Sequence, residues 1–348
     1  MGKSFKQKIK NFIKRFNNTR HYIQSLGFFV TNANIGGFFS GKIYQGSIKN
    51  VCFPVLNCYS CPGAISGCPI GSIQAAINSS KLRKPPYRLH FPYYVIGLTA
   101  LFAIAMGRWF CGYMCPFGFW QDLLHKIPFP KIKVPAKVNN VLRYFKFAFL
   151  ALPVLILPFL IPYLYGGKYS YPFFCKYVCP QGILVGSFPH IIYDYFMRGE
   201  NEKQILPLLG TLFINKLTIF VIVSVSCISI YRVFCRYICP LGAFLGLFNP
   251  ISIYRLKINE KCVLCNRCQK ACKMDIPVFK VPNSVECIRC DECIKACPVN
   301  AIEREYPFSN LIHSTSFFKK MSGKRRPYMH PNKPLNTSNS SKETSTKL

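Results

Sequence analysis

The chain has 348 residues, of which 50% are hydrophobic, 15% aromatic and only 16% charged. So few charges cannot cover an ordinary soluble surface, which points to lipid contact. Lys and Arg number 45 against 12 Asp and Glu, a formal +33. No nucleic-acid-binding motif accompanies that excess, so a nucleic-acid partner is not expected; anionic lipid surfaces and thiolate-bound clusters would each offset it.

In chain order, residues 1–20 form a basic segment (Lys3, Lys6, Lys8, Lys10, Lys14, Arg15, Arg20) ahead of an uncharged stretch, Tyr22–Gly41. Asn32, Asn34 and four glycines dilute that stretch and no A-x-A site follows, so an uncleaved first membrane helix is expected, with an interfacial segment as the alternative. Cys52, Cys58, Cys61 and Cys68 then appear in the pattern C-x5-C-x2-C-P-x5-C-P. Three further spans are expected: Phe91–Gly107, Phe147–Gly167 and Leu217–Tyr231. The last is short, and Lys216 and Arg232 at its ends would snorkel to lengthen it. From about residue 256 a compact, cysteine-rich module begins. Residues 310–348 read as a basic disordered tail, most clearly Lys319–Leu348. The expected fold is thus an α-helical membrane domain over 21–250 with about four spans, then a small α+β ferredoxin module over 256–305.

Nineteen cysteines in an apolar chain of this length exclude a small secreted disulfide scaffold. Their short repeated spacings, with Pro behind them, favour metal, and no C-x-x-C-H occurs for covalent haem. Cys262-x2-Cys265-x2-Cys268-x3-Cys272 is followed by Cys287-x2-Cys290-x2-Cys293-x3-Cys297-Pro298. This is the bacterial ferredoxin spacing twice over, and in it the fourth cysteine ligates the other cluster. The expected ligand sets are Cys262, Cys265, Cys268 and Cys297 for one [4Fe–4S] cluster, and Cys287, Cys290, Cys293 and Cys272 for a second. Lys273 stands where Pro often sits, which is expected to change the local turn but removes no ligand.

A second pattern, F-C-x-Y-x-C-P-x-G, occurs at Phe110–Gly118, Phe174–Gly182 and Phe234–Gly242, each just beyond a span. Cysteines four apart share one face of a helical turn, and two do not complete a cubane, so units must combine. Successive spans alternate direction, which places the first and third units on one side. Arg108 and Arg232 each sit three residues before the first cysteine, whereas the second unit has Pro172 there. The expected third cluster is ligated by Cys111, Cys115, Cys235 and Cys239, with both arginines near its negative charge or, alternatively, snorkelling at the interface. On the other side Cys52, Cys58, Cys61, Cys68, Cys175 and Cys179 are six candidates for four places in a further cluster; the earlier group serving alone, or a disulfide among those left over, stays open. Cys68-Pro-Ile-Gly-Ser-Ile-Gln74 echoes Cys115-Pro-Phe-Gly-Phe-Trp-Gln121, suggesting related local structure. Cys227, mid-span, reads as packing.

These C-x3-C-P units and twin ferredoxin motifs resemble the NapH/NosR-type family of membrane polyferredoxins. The segment Val51–Gln74 resembles a branch with an extra N-terminal cysteine motif. Over residues 20–305 the resemblance implies membrane helices, cytoplasmic termini, and electron relay between a quinol or ferredoxin pool and a partner redox enzyme. A third C-x3-C-P unit and the lack of a flavin-bearing domain separate this chain from the respiratory members, so their partner is not carried over. Positive-inside counting conflicts in part, because Lys81, Arg83, Lys84 and Arg88 crowd a loop this topology puts outside. A reducing compartment for cluster assembly favours a cytoplasmic module in the cell membrane.

No nucleophile elbow, P-loop or dinucleotide fingerprint is present, so an electron-transfer component is expected rather than a stand-alone catalyst. His90, His125 and Asp122 near span edges are quinone candidates set against surface or packing roles. Two other classes compete with a relay: a metal-reducing assembly factor of the RdxA/CcoG type, and a cluster-based redox regulator. The absence of Met- or His-rich tracts weighs against copper delivery.

Overall fold

The computed structural model describes residues 19–40, 42–58, 60–78, 92–165, 171–197 and 210–305. His90, the cations Lys81, Arg83, Lys84 and Arg88, most of the basic N-terminal segment and the tail lie outside these residues. Four longer helices organise the apolar part: α1 Thr19–Thr31, α2 Tyr93–Met106, α3 Ala136–Leu164 and α4 Thr211–Ser229. Two of them, α3 with 29 residues and α4 with 19, are long and apolar enough to cross a membrane. At 1.5 Å per residue they reach about 43 and 28 Å.

The expectation of about four full spans needs correction at its first member. The stretch 21–41 is not one helix: α1 has 13 residues, and a five-residue helix, Gly36–Ser40, follows a break. The cause is local. Thr31 Oγ1 and Asn32 Nδ2 donate back to the carbonyls of Gly27 and Phe28 at 2.8 and 3.0 Å, and Asn34 Nδ2 donates to the Pro62 carbonyl at 2.7 Å. Side chains that satisfy backbone groups in this way end helices. The 14-residue α2 is also short. Within α3 the expected third span begins earlier than Phe147, and Leu150–Ile156 is a π-helical segment around Pro153. Widening the helix accommodates the proline ring and its missing N–H.

Which faces are covered is informative. On α1 the buried residues are Arg20, Gln24, Gly27 and Thr31, while Tyr22, Leu26, Phe29 and Val30 are exposed. On α3, Leu152, Leu155, Ile156, Phe159, Leu160, Tyr163 and Leu164 are exposed, as are Ile214, Val221, Ile222 and Val225 on α4. On α1 polar or small residues lie inside and large apolar ones outside, the reverse of a water-soluble fold, and the exposed apolar faces of α3 and α4 likewise suit a lipid-facing surface.

The module from Arg255 to Glu305 is built on a two-stranded antiparallel sheet, β1 Arg255–Ile258 with β2 Ile302–Glu305, in register Arg255↔Glu305 to Ile258↔Ile302. Between them lie two cysteine loops, each running into a five-residue helix, Arg267–Ala271 and Glu292–Ala296. The loops repeat one backbone path. Leu264 and Asn266 flank Cys265 with positive φ, as Arg289 and Asp291 flank Cys290; Asp275 and Asn300, three residues past Cys272 and Cys297, match as well. The expectation that Lys273 in place of Pro changes the local turn is therefore corrected: the positive φ at Asp275 matches that at Asn300, so the backbone takes the same path with either residue.

The module sits directly on the helical part. Asn249 Nδ2 donates to the carbonyls of Ser284 and Cys287 at 2.9 and 2.8 Å, and Arg289 Nη2 donates to the Asn249 carbonyl at 2.9 Å. Buried Glu286 accepts from Arg108 Nη1 at 3.4 Å and from buried Lys146. Gly112 is essential to this seating, since a Cβ there would lie 2.4 Å from the Ile288 carbonyl oxygen. Gly112→Ala is expected to lower stability by about 1–3 kcal/mol through overpacking, read as an earlier thermal unfolding midpoint in detergent.

Candidate metal centres

Each C-x3-C-P unit folds the same way. The first cysteine rides a one-turn helix, and the second takes an extended conformation with Pro opening whatever helix follows. Cys115 and Cys239 are N-caps of helices Pro116–Leu124 and Pro240–Leu247. The Phe before the first cysteine closes the turn in all three: the Phe110, Phe174 and Phe234 carbonyls accept from Cys115, Cys179 and Cys239 N–H at 3.0, 2.9 and 2.9 Å. Cys68 likewise caps helix Pro69–Ile77.

The first and third units meet. Cys111, Cys115, Cys235 and Cys239 are all buried. Burial pushes the Cys239 thiol up, and negative charge on Cys235, Cys111 or Cys115 pushes it further; Cys115 is raised by burial and then by Cys235 and Cys111. Four sulfurs thus face one apolar volume, where only a cationic core would let them ionise together. Gly242 N–H donates to Cys239 Sγ at 3.3 Å and Gln121 Nε2 to Cys235 Sγ at 3.1 Å.

The two arginines are fully buried rather than snorkelling. They cross between repeats: Arg108 Nη2 donates to the Cys235 carbonyl at 3.2 Å, and Arg232 Nη1 to the Cys111 carbonyl at 2.5 Å. The glycine ending each motif makes room for the other repeat's guanidinium. A Cβ on Gly118 would lie 3.2 Å from Arg232 Nη2, and one on Gly242 would lie 3.0 Å from Arg108 Nη2.

On the other side the structure brings four of six candidates together. Burial raises Cys175, and then Cys179, Cys68 and Cys58 raise it further; Cys179 responds to burial, Cys68 and Cys58. Cys61 neighbours Cys58 but its thiol donates to the Val185 carbonyl at 2.8 Å, and Cys52 pairs with Ser72 Oγ at 3.4 Å. Both are free thiols rather than a disulfide. The echo between Gln74 and Gln121 has a structural meaning that sequence reasoning missed. Both side chains are buried, and each amide oxygen accepts a backbone N–H from the partner motif, Gln74 from Cys175 at 3.3 Å and Gln121 from Phe234 at 3.2 Å. The pairing of 58/68 with 175/179 therefore repeats that of 111/115 with 235/239.

In the module, Cys262, Cys265, Cys268 and Cys297 line one small cavity, where Ala301 N–H donates to Cys297 Sγ at 3.2 Å. Burial raises Cys293, and Cys287, Cys290 and Cys272 raise it further, which places these four thiols together. Cys227 is buried on α4 with its thiol directed at Gln121 Oε1, 3.5 Å away. Among the described residues no three His, Cys, Asp or Glu side chains close on a single-ion point. Tetrathiolate zinc needs sulfurs about 3.8 Å apart, whereas the corners of a cubane hold them farther apart. Two buried side chains near these sets have polar atoms with no partner among protein atoms: Arg108, whose Nε is a donor fit for an anionic cluster, and Gln181, two residues past Cys179, with both its Nε2 and its Oε1.

Of the quinone candidates, the two among the described residues, Asp122 and His125, are otherwise engaged. Asp122 accepts from Arg232 Nε and Nη2 at 2.7 Å each, from Arg20 Nη2 at 2.5 Å and from Gln24 Nε2 at 3.0 Å. Burial alone would raise its carboxyl, but the two guanidiniums hold it well below the usual carboxylate range. His125 Nδ1 lies 3.1 Å from the Cys227 carbonyl.

Comparison with known families matches this geometry. A family described as "4Fe-4S binding domain" matches residues 91–135, 147–187 and 214–259, each containing one C-x3-C-P unit, and a second family of that description matches 281–303. The chain binds [4Fe–4S] clusters. It is 33% identical over 187 residues to the uncharacterized protein MJ0750 of Methanocaldococcus jannaschii, covering 52% of this chain and 65% of that one. It is 32% identical over 188 residues to MJ0749 of the same organism, covering 52% and 57%. It is 35% identical over 74 residues to the putative electron transport protein YccM of Escherichia coli, covering 21% and 20%. The chain thus spans less than two thirds of the length of each of these relatives. No solved structure matches.

Proposed function

We propose that this protein is a multi-pass membrane carrier of single electrons, with four [4Fe–4S] clusters held by the four thiol sets described above. The observation that carries the reading is the course of α1. Arg20 at its start donates to the Gly112 carbonyl at 3.0 Å, beside Cys111, and the Thr31 carbonyl at its end accepts from Ile65 N–H at 3.1 Å and Asn57 Nδ2 at 3.2 Å, beside Cys58. Eleven residues of helix rise roughly 17 Å, so the two sets are closer together than a bilayer core of about 30 Å is thick. When bound, a [4Fe–4S] cluster takes up or gives back one electron.

The chain's own residues do the rest. Paired repeats supply two thiols each to a shared site, and the docked module stacks its sets against the first of these through Glu286, Asn249 and Arg289. Inverted amphipathic faces keep the row in lipid, and apolar burial excludes water from it. The module is proposed to face the cytoplasm, where a ferredoxin or a partner redox enzyme exchanges electrons with it; quinol is the alternative donor. The similarity to a putative electron transport protein is in keeping with this role.

The test is iron and acid-labile sulfide per chain, with EPR, on anaerobically purified protein in detergent. About sixteen irons are expected; about eight, the content of two cubanes, would leave the C-x3-C-P units without a cluster and end the proposal.

A further inference from the structure

Around the set Cys111, Cys115, Cys235 and Cys239 the buried charges are Arg20, Arg108, Lys146, Arg232 and Arg236 against Asp122 and Glu286, with Arg236 also paired to the more exposed Asp275. Buried cations thus outnumber buried carboxylates beside a site where an oxidised cubane with four thiolates carries about −2. Arg108 and Arg232 hold equivalent places three residues before the first cysteine of their repeats, whereas Arg236 lies between the two cysteines of the third repeat alone. The second repeat has Pro172 at the place of Arg108 and Arg232. Near Cys58, Cys68, Cys175 and Cys179 the cations are instead Lys216, whose Nζ approaches Gly182, and Lys49; both are partly open to solvent and so screened.

We infer that Arg108 and Arg232 are positioning residues, each clamping the opposite repeat's cysteine turn. Their crossed guanidiniums hold the midpoint potential of the 111/115/235/239 centre above that of the 58/68/175/179 centre. A fixed cation stabilises the more negative, reduced form of a nearby cluster, and it does so most where water is excluded. Arg108 Nε is buried with no partner among protein atoms, as are the Nε atoms of Arg143, Arg236 and Arg289. The two membrane centres, alike in ligands and fold, then differ as electron sinks, which gives the row a direction. This inference rests on the reading of both sets as cluster ligands.

The experiment is an EPR-monitored redox titration of the holoprotein in detergent. Cys111→Ser identifies the first centre's signal and Cys58→Ser the second's, by its loss. In wild type the first signal is expected to have the higher midpoint. Arg108→Gln and Arg232→Gln are each expected to keep about sixteen irons and lower the midpoint of the first signal alone; Arg108→Lys, which keeps the charge, is expected to stay close to wild type. If the Gln variants shed that centre's iron while the Lys variant retains it, the need for charge is equally upheld. An unchanged midpoint with iron retained overturns the inference, as does iron loss in Lys and Gln variants alike, or a lower wild-type midpoint for the first centre. A wild-type count of about eight irons removes the function proposed above and this inference with it, whereas about sixteen with unshifted potentials removes the inference alone.

Discussion

Cys58→Ser removes about four irons per chain and one EPR signal, whereas Cys61→Ser and Cys52→Ser leave both in place. The expectation follows from where the thiols point. Cys58 is the sulfur that Cys68, Cys175 and Cys179 all feel, while Cys61 is turned to the Val185 carbonyl and Cys52 to Ser72. Serine is nearly isosteric with cysteine but a poor ligand for cluster iron, so the change tests ligation with little disturbance of packing. Loss of iron from Cys61→Ser in place of Cys58→Ser would exchange their roles.

Asp122→Asn lowers stability by about 3–5 kcal/mol, an effect large enough to deplete folded protein in detergent. Asp122 holds Arg20 of α1 and Arg232 of the third repeat at once, with Gln24 adding a third donor. All of these side chains are buried, and taking away the one carboxylate leaves two guanidiniums without compensation. The pH dependence has a definite sign. The folded carboxyl is held below its ordinary value, so its stabilisation is complete above about pH 4 and is lost as pH falls through the folded value. Thermal unfolding midpoints measured between neutral and acid pH are expected to fall on the acid side in wild type. Asp122→Asn is expected to start lower and to lack that part of the slope. Equal midpoints for the two proteins at neutral pH would refute the assignment.

How much of this could be read from residues alone depends on range. Short spacings carry the cysteine loops, the repeated turn and the proline-opened helices, because the groups that shape them lie within a few residues. Alternating chain direction adds the meeting of Cys111 and Cys115 with Cys235 and Cys239, which needs only the number of crossings. The choice among six cysteines near 52–68 and 175–179 is different. It turns on the Gln74 amide reaching Cys175 across 101 residues of chain, and no periodicity records such a contact. The bridging of Arg108 and Lys146 by Glu286, over 178 and 140 residues, is equally invisible. The N-terminal stretch misleads for a further reason. Counting charges finds Tyr22–Gly41 apolar enough, but Thr31, Asn32 and Asn34 end the helix by bonding to carbonyls, and a hydropathy sum does not see geometry.

The brevity of α1 and α2 has a consequence for the surroundings. They reach only about 20 and 21 Å, against about 43 and 28 Å for α3 and α4, so on the membrane reading proposed above a core of about 30 Å would have to thin by roughly 10 Å beside them. Each ångström of such mismatch costs a fraction of a kcal/mol. On that reading the protein is expected to be most stable in short-chain lipids and to partition into the thinner regions of a mixed membrane, where the lipid deforms least around its short helices.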